Sequence, residues 1–337
     1  MSHSKSQDRL QGQSHGQSCL VVMYHYVRDS RTTAFPDIRA LAPALFRQQL
    51  DWLQANYTVV TQAELEAALA AGGTLPANAA LLTFDDGFVD HFDTACPMLV
   101  ERGLTGTFFL SQDACGPAPR LLNVHKTQFL LARLGAAEFS RAVLAESRLP
   151  RPAVDGPGVF GGDLWEQGDD RAVKHLLNYQ LPFADADVIL EALFDRHIGD
   201  APTFARGLYL DDAMVREMAR HGMTFGFHTR SHRMLSRLTA AEQAAEVGSG
   251  VEWIRGLTGQ DTVPFCYPWG GRQTYTAETA GILRDAGYSV AFNTERRRLR
   301  LRADGRYELP RLDTRDLPPY TGGEPTALAA LAPAEDA

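Results

Sequence analysis

Two adjacent carboxylates, Asp85 and Asp86, stand between an apolar run at residues 81–84 and Gly87. This order predicts a strand that ends in a tight turn, where both side chains can reach one site although neighbours within a strand point to opposite faces. Two carboxylates this close repel each other unless a cation or a shared proton compensates them. A bound metal would let one Asp ligate while the other handles protons. The alternative interpretation is a turn in which an Asx cap starts a helix.

Two histidines four residues apart, His228 and His232, follow a second apolar run at residues 225–227. They can converge on one metal ion if the segment coils into a turn, and histidine is the commonest metal ligand in proteins. A single histidine here would favour a structural role, whereas a pair, in a chain with an Asp-Asp strand end elsewhere, favours a metal site. One Asp with two His is a facial set that leaves positions open for water and substrate.

Short apolar segments that alternate with longer amphipathic ones must position these side chains. Such alternation predicts an α/β fold with a parallel sheet or barrel, whose ligands bind at the carboxyl ends of the strands. The predicted strands cover residues 19–24, 57–60, 80–84, 105–110, 223–228, 263–267 and 288–293. The predicted helices cover residues 44–56, 62–71, 91–102, 211–221, 240–256 and 275–286.

One stretch interrupts this alternation. Residues 115–205 have mainly helical patterns, and we predict an insertion or cap within the domain because barrel elements resume after it. The catalytic domain is therefore expected to cover residues 19–317. The polar residues 1–18 are predicted to form a disordered tail, and the Pro/Ala-rich residues 318–337 a flexible one.

The composition excludes several classes of protein. The 337 residues carry 41 acidic and 33 basic side chains, a net charge of −8, and lack the Lys/Arg-dense stripe of a nucleic-acid binder. No apolar run reaches the roughly 18 residues that span a bilayer. The N-terminal segment lacks the apolar core of a signal peptide, so we expect a cytoplasmic protein.

Four widely spaced cysteines predict neither a zinc ribbon nor a disulfide framework. The oligomeric state is not indicated.

Several motifs together resemble one family. Residues 83–87 and 228–232 are similar to the first two motifs of the polysaccharide deacetylases, the NodB-type, carbohydrate esterase family 4-like enzymes. Residues 265–270 resemble the third, groove-lining motif, and residues 22–27 resemble the start of a subset of these enzymes. The resemblance extends over residues 21–312, apart from the insertion.

This resemblance implies a distorted (β/α)7–8 barrel and a metal-dependent hydrolase that removes an N-acetyl or other N-acyl group from a carbohydrate or amino-sugar-containing substrate. It implies that Asp86, His228 and His232 hold a divalent metal, with zinc as first choice and cobalt, iron or nickel as alternatives. It also implies that Asp85 is the general base. A divalent ion would lower the pKa of its bound water towards about 7 and polarise the amide carbonyl, which fits this chemistry.

The sequence departs from the family pattern in two places. Where the third motif often has an Arg, this chain has Cys266, so another Arg must orient the base; Arg311 is our first choice and Arg272 our second. The late Leu-x-His motif, which supplies the proton donor for the leaving nitrogen in many members, is missing. A closed barrel places its first strand beside its last, so we predict that His25, at the end of the first strand, is the general acid.

The remaining predictions concern substrate and alternatives. The side chain of His91 is expected on the surface of a helix. A deformylase or another amidohydrolase on the same scaffold would share all these motifs, and a catalytically silent glycan-binding protein is the non-enzyme alternative. The residues expected to contact the substrate are Tyr267, Pro268, Trp269, Gly270 and Arg272, together with His125 from the insertion.

Overall fold

The computed structural model of the protein describes residues 17–147 and 173–319. Within them, the strands are β1 Ser18–Tyr24, β2 Thr58–Val59, β3 Ala79–Phe84, β4 Thr107–Leu110, β5 Thr224–Phe227, β6 Phe265–Cys266, β7 Ala291–Phe292, β8 Leu299–Arg300 and β9 Leu312–Asp313. They form one sheet in the order β7-β6-β5-β4-β3-β1-β8, with β2 beside β3 and β9 beside β1. Apart from β8, which runs antiparallel to β1, the pairs are parallel.

The two ends of the sheet approach each other through the segment that leads into β9. Leu309 forms a parallel bridge with Phe292 of β7, and Leu312 pairs in parallel with Val22 of β1. The sheet therefore curls, and its last strand lies beside its first. The prediction of an α/β fold with a distorted barrel is confirmed in this curled, mixed sheet.

Helices separate most consecutive strands, as the alternation of the sequence predicts. Among the described residues, threonine caps start three helices: the side chains of Thr61, Thr239 and Thr276 each accept a hydrogen bond from the backbone N–H three residues later. The α-helices are α1 Pro43–Asn56, α2 Gln62–Ala71, α3 Cys96–Val100, α4 Gln112–Cys115, α5 Asn123–Leu134, α6 Ala136–Ser147, α7 Phe183–His197, α8 Ala201–Leu208, α9 Asp212–Arg220, α10 Ala240–Val247, α11 Gly250–Thr258 and α12 Ala277–Asp285. Across residues 17–147 and 173–319, no helix is both long and apolar enough to cross a bilayer.

Two apolar clusters follow from the alternation of side chains along each strand. Leu20 and Val22 of β1 point into the larger cluster, between the sheet and its helices. Cys19 and Val21 point into a smaller cluster that also receives side chains from β4, β6 and β7. Because these strands lie on different sides of the curl, the smaller cluster fills its inside.

The described part of residues 115–205 is mainly helical and comprises α5 to α8 with a π-helical turn at Leu176–Gln180. Its first two helices, α5 and α6, are separated by Gly135, whose φ of 74° ends α5. Residues 148–172 and the two predicted tails, apart from residues 17–18 and 318–319, lie outside the described residues. The domain boundaries stay predictions.

Gly226, in the middle of β5, leaves room for the neighbouring strand. A Cβ atom at this position would lie 2.4 Å from the ring of Phe109 and 2.7 Å from the backbone oxygen of Pro264. Both neighbours belong to packed parts of the barrel, so neither can move freely away. The close approach also places β5, and with it the residues that follow, against β4 and the start of β6.

We expect Gly226→Ala to lower the free energy of unfolding by about 1–3 kcal/mol, the usual cost of overpacking a core. Gly281→Ala is the matched control, because Gly281 lies within α12 and an added Cβ atom would have nothing within 4 Å of it; it should be neutral or stabilise by up to about 1 kcal/mol. Urea unfolding measures both. Equal stability of the two variants would contradict this account of the strand packing.

Candidate metal centre

Asp86, His228 and His232 converge at the carboxyl ends of β3 and β5. The Oδ1 atom of Asp86 lies 3.5 Å from Nε2 of His228 and 3.4 Å from Nε2 of His232, and all three side chains are buried. Oδ1 of Asp86 has no hydrogen-bond partner among the described residues. A buried carboxylate oxygen without a hydrogen bond destabilises the fold unless a cation binds to it. The three groups can therefore bind a metal ion.

The loops that carry these ligands have unusual backbone conformations. Asp86, Thr229 and His232 have φ values of 76°, 62° and 58°, the left-handed region that costs a non-glycine residue about 1–3 kcal/mol. The coil brings the two histidines together, and the Thr229 hydroxyl accepts a hydrogen bond from the backbone N–H of His232 at 3.0 Å. Glu246 of α10 holds the same loop through the backbone N–H and hydroxyl of Ser231, at 2.9 and 2.6 Å.

The histidine side chains are held in a form suited to ligation. Nδ1 of His228 lies 2.8 Å from the carbonyl oxygen of Cys266 and donates to it, which leaves Nε2 free to face Asp86. Burial lowers the pKa of His228 and lowers that of His232 to about 3, against the opposing effect of the nearby carboxylates. Both rings are therefore neutral at pH 7, the form that binds metal.

Asp85 has a different partner. Arg311 donates two parallel hydrogen bonds to its carboxylate, at 2.8 and 2.7 Å, and both residues are buried. Burial alone would raise the pKa of Asp85, but the charge and hydrogen bonds of Arg311 outweigh it and lower the pKa to about 2. Arg311 lies between the bridge at Leu309 and β9, so the closure of the curled sheet brings it to the site. The second choice, Arg272, is not there: it is 65% exposed and pairs with Glu295.

A second group of potential ligands, Asp85, His228 and Cys266, lies beside the first. Here the guanidinium of Arg311 is 2.9 Å from Sγ of Cys266 and also paired with Asp85. Burial raises the pKa of the Cys266 thiol well above its ordinary value, so it stays protonated. A fixed guanidinium opposes a second cation at this position, which favours the Asp86 group as the metal site.

His25 places its imidazole next to the carboxylate of Asp85. This residue follows β1 directly; its Nε2 lies 3.9 Å from Oδ2 of Asp85, and its side chain is 41% exposed. Its backbone oxygen accepts a hydrogen bond from Nε2 of His91 at 3.0 Å. The turn after His25 is held by Asp90, whose carboxylate accepts a hydrogen bond from the backbone N–H of Val27 at 3.0 Å.

The prediction that His91 is a surface residue is wrong. The residue begins a π-helical turn, His91–Ala95, and its ring is fully buried against Phe84 and Phe108. Burial lowers the pKa of His91 to about 4, so its ring is neutral.

His125 is also misplaced by the sequence prediction, which puts it in the lining of the substrate cleft. It is fully buried, and its Nε2 lies 3.1 Å from Oδ2 of Asp86. Its Nδ1 lies 2.5 Å from the hydroxyl of Tyr209. His125 therefore contacts the candidate metal ligand Asp86 and does not line the predicted substrate cleft.

Comparisons with known proteins find similarity to polysaccharide deacetylases. The family model for polysaccharide deacetylases matches residues 185–291, which include both histidines of the site. A curated protein of Bacillus subtilis strain 168, "Putative polysaccharide deacetylase YxkH", is 20% identical over 276 residues, which cover 82% of this chain and 64% of that protein. The chain is thus similar to polysaccharide deacetylases.

Solved structures of deacetylases share the fold of this chain. The deacetylase PplD of Streptococcus pyogenes, in complex with acetate, is 19% identical, with a TM-score of 0.55 and coverage of 93% of this chain and 97% of its own. IcaB of Ammonifex degensii is 21% identical, with a TM-score of 0.54 and coverage of 89% and 93%. A de-N-acetylase of Aggregatibacter actinomycetemcomitans is 15% identical, with a TM-score of 0.54 and coverage of 93% and 100%.

The third family motif contributes one side chain to the cleft. Trp269 is half-buried, with a φ of 67°, and its ring centroid lies 5.6 Å from that of His232. Tyr267 is buried instead: its ring stacks on Tyr275 at 3.9 Å, so the expectation that it contacts substrate is wrong. Its strand ends there, and the ring points into the core.

The other residues of this motif are buried or paired with other side chains. Pro268 and Gly270 are buried. A Cβ atom on Gly270, whose φ is 66°, would lie 2.3 Å from Thr294, so this glycine permits a tight turn beside Trp269. The exposed pairing of Arg272 with Glu295 likewise gives no support to its predicted contact with substrate.

The insertion and the barrel enclose a cavity of about 370 Å³. His232 and Trp269 line it from the barrel. From the insertion, Leu122, just before α5, and Leu190 of α7 contribute apolar side chains. Lys126 of α5 and Glu191 of α7 add an ion pair. The cavity thus begins at the candidate metal site and extends under the insertion.

We expect Arg311→Met to lower the free energy of unfolding by about 3–5 kcal/mol, because it leaves Asp85 buried and unpaired. Arg272→Met is the matched control and should change stability little, since its ion pair is exposed. Urea unfolding at pH 7 compares them. A loss in Arg311→Met no larger than in Arg272→Met would refute the assignment of Arg311 as the partner of Asp85.

Proposed function

We propose that this protein is a metal-dependent hydrolase that removes an N-acetyl or other N-acyl group from a carbohydrate or sugar-containing substrate. The observation that carries the proposal is Oδ1 of Asp86, buried without a hydrogen bond and facing two imidazole nitrogens, next to a carboxylate that an arginine keeps ionised. The similarity to polysaccharide deacetylases supports the reaction type. The chain spans 64% of the length of its curated relative, and the substrate is part of the proposal.

Asp86, His228 and His232 would hold the metal. Two neutral imidazoles and one carboxylate suit zinc first, with cobalt, iron or nickel as alternatives. When bound, the ion would lower the pKa of a water molecule towards about 7 and polarise the acyl carbonyl. The residues fit such an ion because each presents one atom to the same small space.

Asp85 is proposed as the general base. Its low pKa keeps it ionised at neutral pH, and Arg311 fixes the plane of its carboxylate, so each oxygen keeps a lone pair that can accept a proton from water. Arg311 is therefore a positioning residue: it touches Asp85 and lies too deep in the core to reach a substrate.

His25 is proposed as the general acid. An amide anion is too poor a leaving group at neutral pH, so the departing nitrogen needs a proton. The ring of His25 is partly exposed, and its Nε2 lies 3.9 Å from the carboxylate of the base. The hydrogen bond from His91 to the backbone oxygen of His25 holds the backbone that carries this ring.

Trp269 and the cavity beneath the insertion are proposed to bind the sugar. An aromatic face next to the candidate metal site suits the apolar face of a pyranose ring, and the cavity offers both apolar walls and charged groups. The insertion would then select the substrate.

Chelation should abolish hydrolysis, and Zn²⁺ or Co²⁺ should restore it. Asp85→Asn should keep the metal yet lose turnover by roughly 10²–10⁴-fold, the usual contribution of one proton-transfer group. Acetate and formate release from a panel of N-acylated amino sugars, together with metal content, measures these effects.

Release of formate alone would favour a deformylase, and tight glycan binding without any release would favour a binding protein. Loss of metal from Asp85→Asn would show that the roles of the two aspartates are exchanged.

His25→Ala should fold, bind metal normally and lose most of its kcat on an unactivated amide. The loss should be far smaller on an acetyl ester with a good leaving group, because that leaving group needs little protonation. Steady-state kinetics on both substrates tests this, with His221→Ala, an exposed histidine of the surface after α9, as the control. Equal losses on both substrates would rule His25 out as the acid.

A further inference from the structure

We propose that the insertion supplies a positioning residue to the metal site: His125, oriented by Tyr209, holds Asp86 so that Oδ1 faces the two histidines. This inference rests on the proposed function for the presence of the metal. It assigns to the insertion a role in metal binding that is separate from contact with substrate.

The direction of the hydrogen bonds follows from a backbone donor. The N–H of Leu122 donates to the hydroxyl oxygen of Tyr209 at 3.2 Å, so the hydroxyl proton is available for Nδ1 of His125, 2.5 Å away. With Nδ1 as an acceptor, the ring carries its proton on Nε2 and donates it to Oδ2 of Asp86 at 3.1 Å. All three side chains are buried, so water does not compete for these bonds.

The insertion and the segment that directly follows it both contact the loop of Asp86. His125 lies in the first turn of α5, and Tyr209 directly follows α8. The backbone around Tyr209 pairs with the loop after Asp86: Val89 donates to the oxygen of Leu208, and Leu210 donates to the oxygen of Gly87, each at 2.8 Å. These contacts maintain the left-handed conformation of Asp86, whose cost must be offset by its surroundings.

His125 acts through Asp86 and is not itself a ligand. The ring centroids of His125 and His232 are 6.4 Å apart, and Nε2 of His125 is already bonded to Oδ2. One carboxylate oxygen is thus occupied by an N–H group, while the other stays free and faces the two Nε2 atoms. Such a carboxylate binds an ion through one oxygen in a fixed direction. Loss of a partner that orients a metal ligand costs about 10–100-fold in metal affinity.

The test compares His125→Ala, His125→Gln and Gln128→Ala. The Gln variant keeps an N–H donor that can reach Oδ2. Gln128→Ala is the matched control, because Gln128 lies one turn further along α5 and accepts a hydrogen bond from Tyr26, not from the metal site. Zn²⁺ affinity is measured by competition with a chromophoric chelator, and ligand geometry by the visible spectrum of the Co²⁺ form. We expect His125→Ala to lose about 10–100-fold in affinity with an altered spectrum, His125→Gln to recover most of the loss, and Gln128→Ala to match the unmodified protein.

Equal affinities and spectra in all three variants would overturn the inference and leave the proposed function intact. Equal losses in His125→Ala and Gln128→Ala would also overturn it, because docking of α5 would then be the cause. If the unmodified protein bound no Zn²⁺ in the same assay, the proposed function itself would fail. Should His125→Ala not fold, Tyr209→Phe carries the test: it removes the proton that Nδ1 accepts, and unchanged Zn²⁺ affinity in it would refute the role of the pair.

Discussion

Two adjacent buried carboxylates at the end of β3 determine how the rest of the site is built. Burying a charge is costly unless it is paired, and Asp85 and Asp86 are compensated from different directions. Arg311, which the closure of the sheet delivers, neutralises Asp85. Asp86 receives an N–H donor from His125 of the insertion on one oxygen and offers the other to two imidazoles. The site therefore depends on both the closure of the barrel, which pairs Asp85, and the docking of the insertion, which pairs Asp86.

The parts of the site that follow strand ends could be predicted from the sequence. An apolar run that stops at a carboxylate or a histidine predicts its position at the carboxyl edge of a parallel sheet, which is where Asp85, Asp86, His228 and His232 lie. The same argument, applied to a closed barrel, brings His25 and the final strand together, and β9 does pair with β1. Local patterns suffice here because the strand fixes both the place and the direction of the side chain.

The failures concern residues whose orientation depends on distant packing. His125 is on a helix whose contact with the barrel joins segments far apart in the chain, and no local pattern shows which face docks. His91 is buried at the start of a π-helical turn, and a 3.6-residue period does not predict such a turn. For Tyr267, a strand of two residues gives too little alternation to choose between core and cleft.

The central claim is that one metal ion binds to Asp86, His228 and His232. X-ray absorption at the zinc edge of the Zn²⁺-loaded protein tests it most directly, because nitrogen and oxygen ligands lie at about 2.0–2.1 Å and a thiolate at about 2.3 Å. We predict one zinc per chain with two imidazoles, a carboxylate oxygen and no sulfur. A sulfur shell at about 2.3 Å would place the ion at Cys266 and contradict the account.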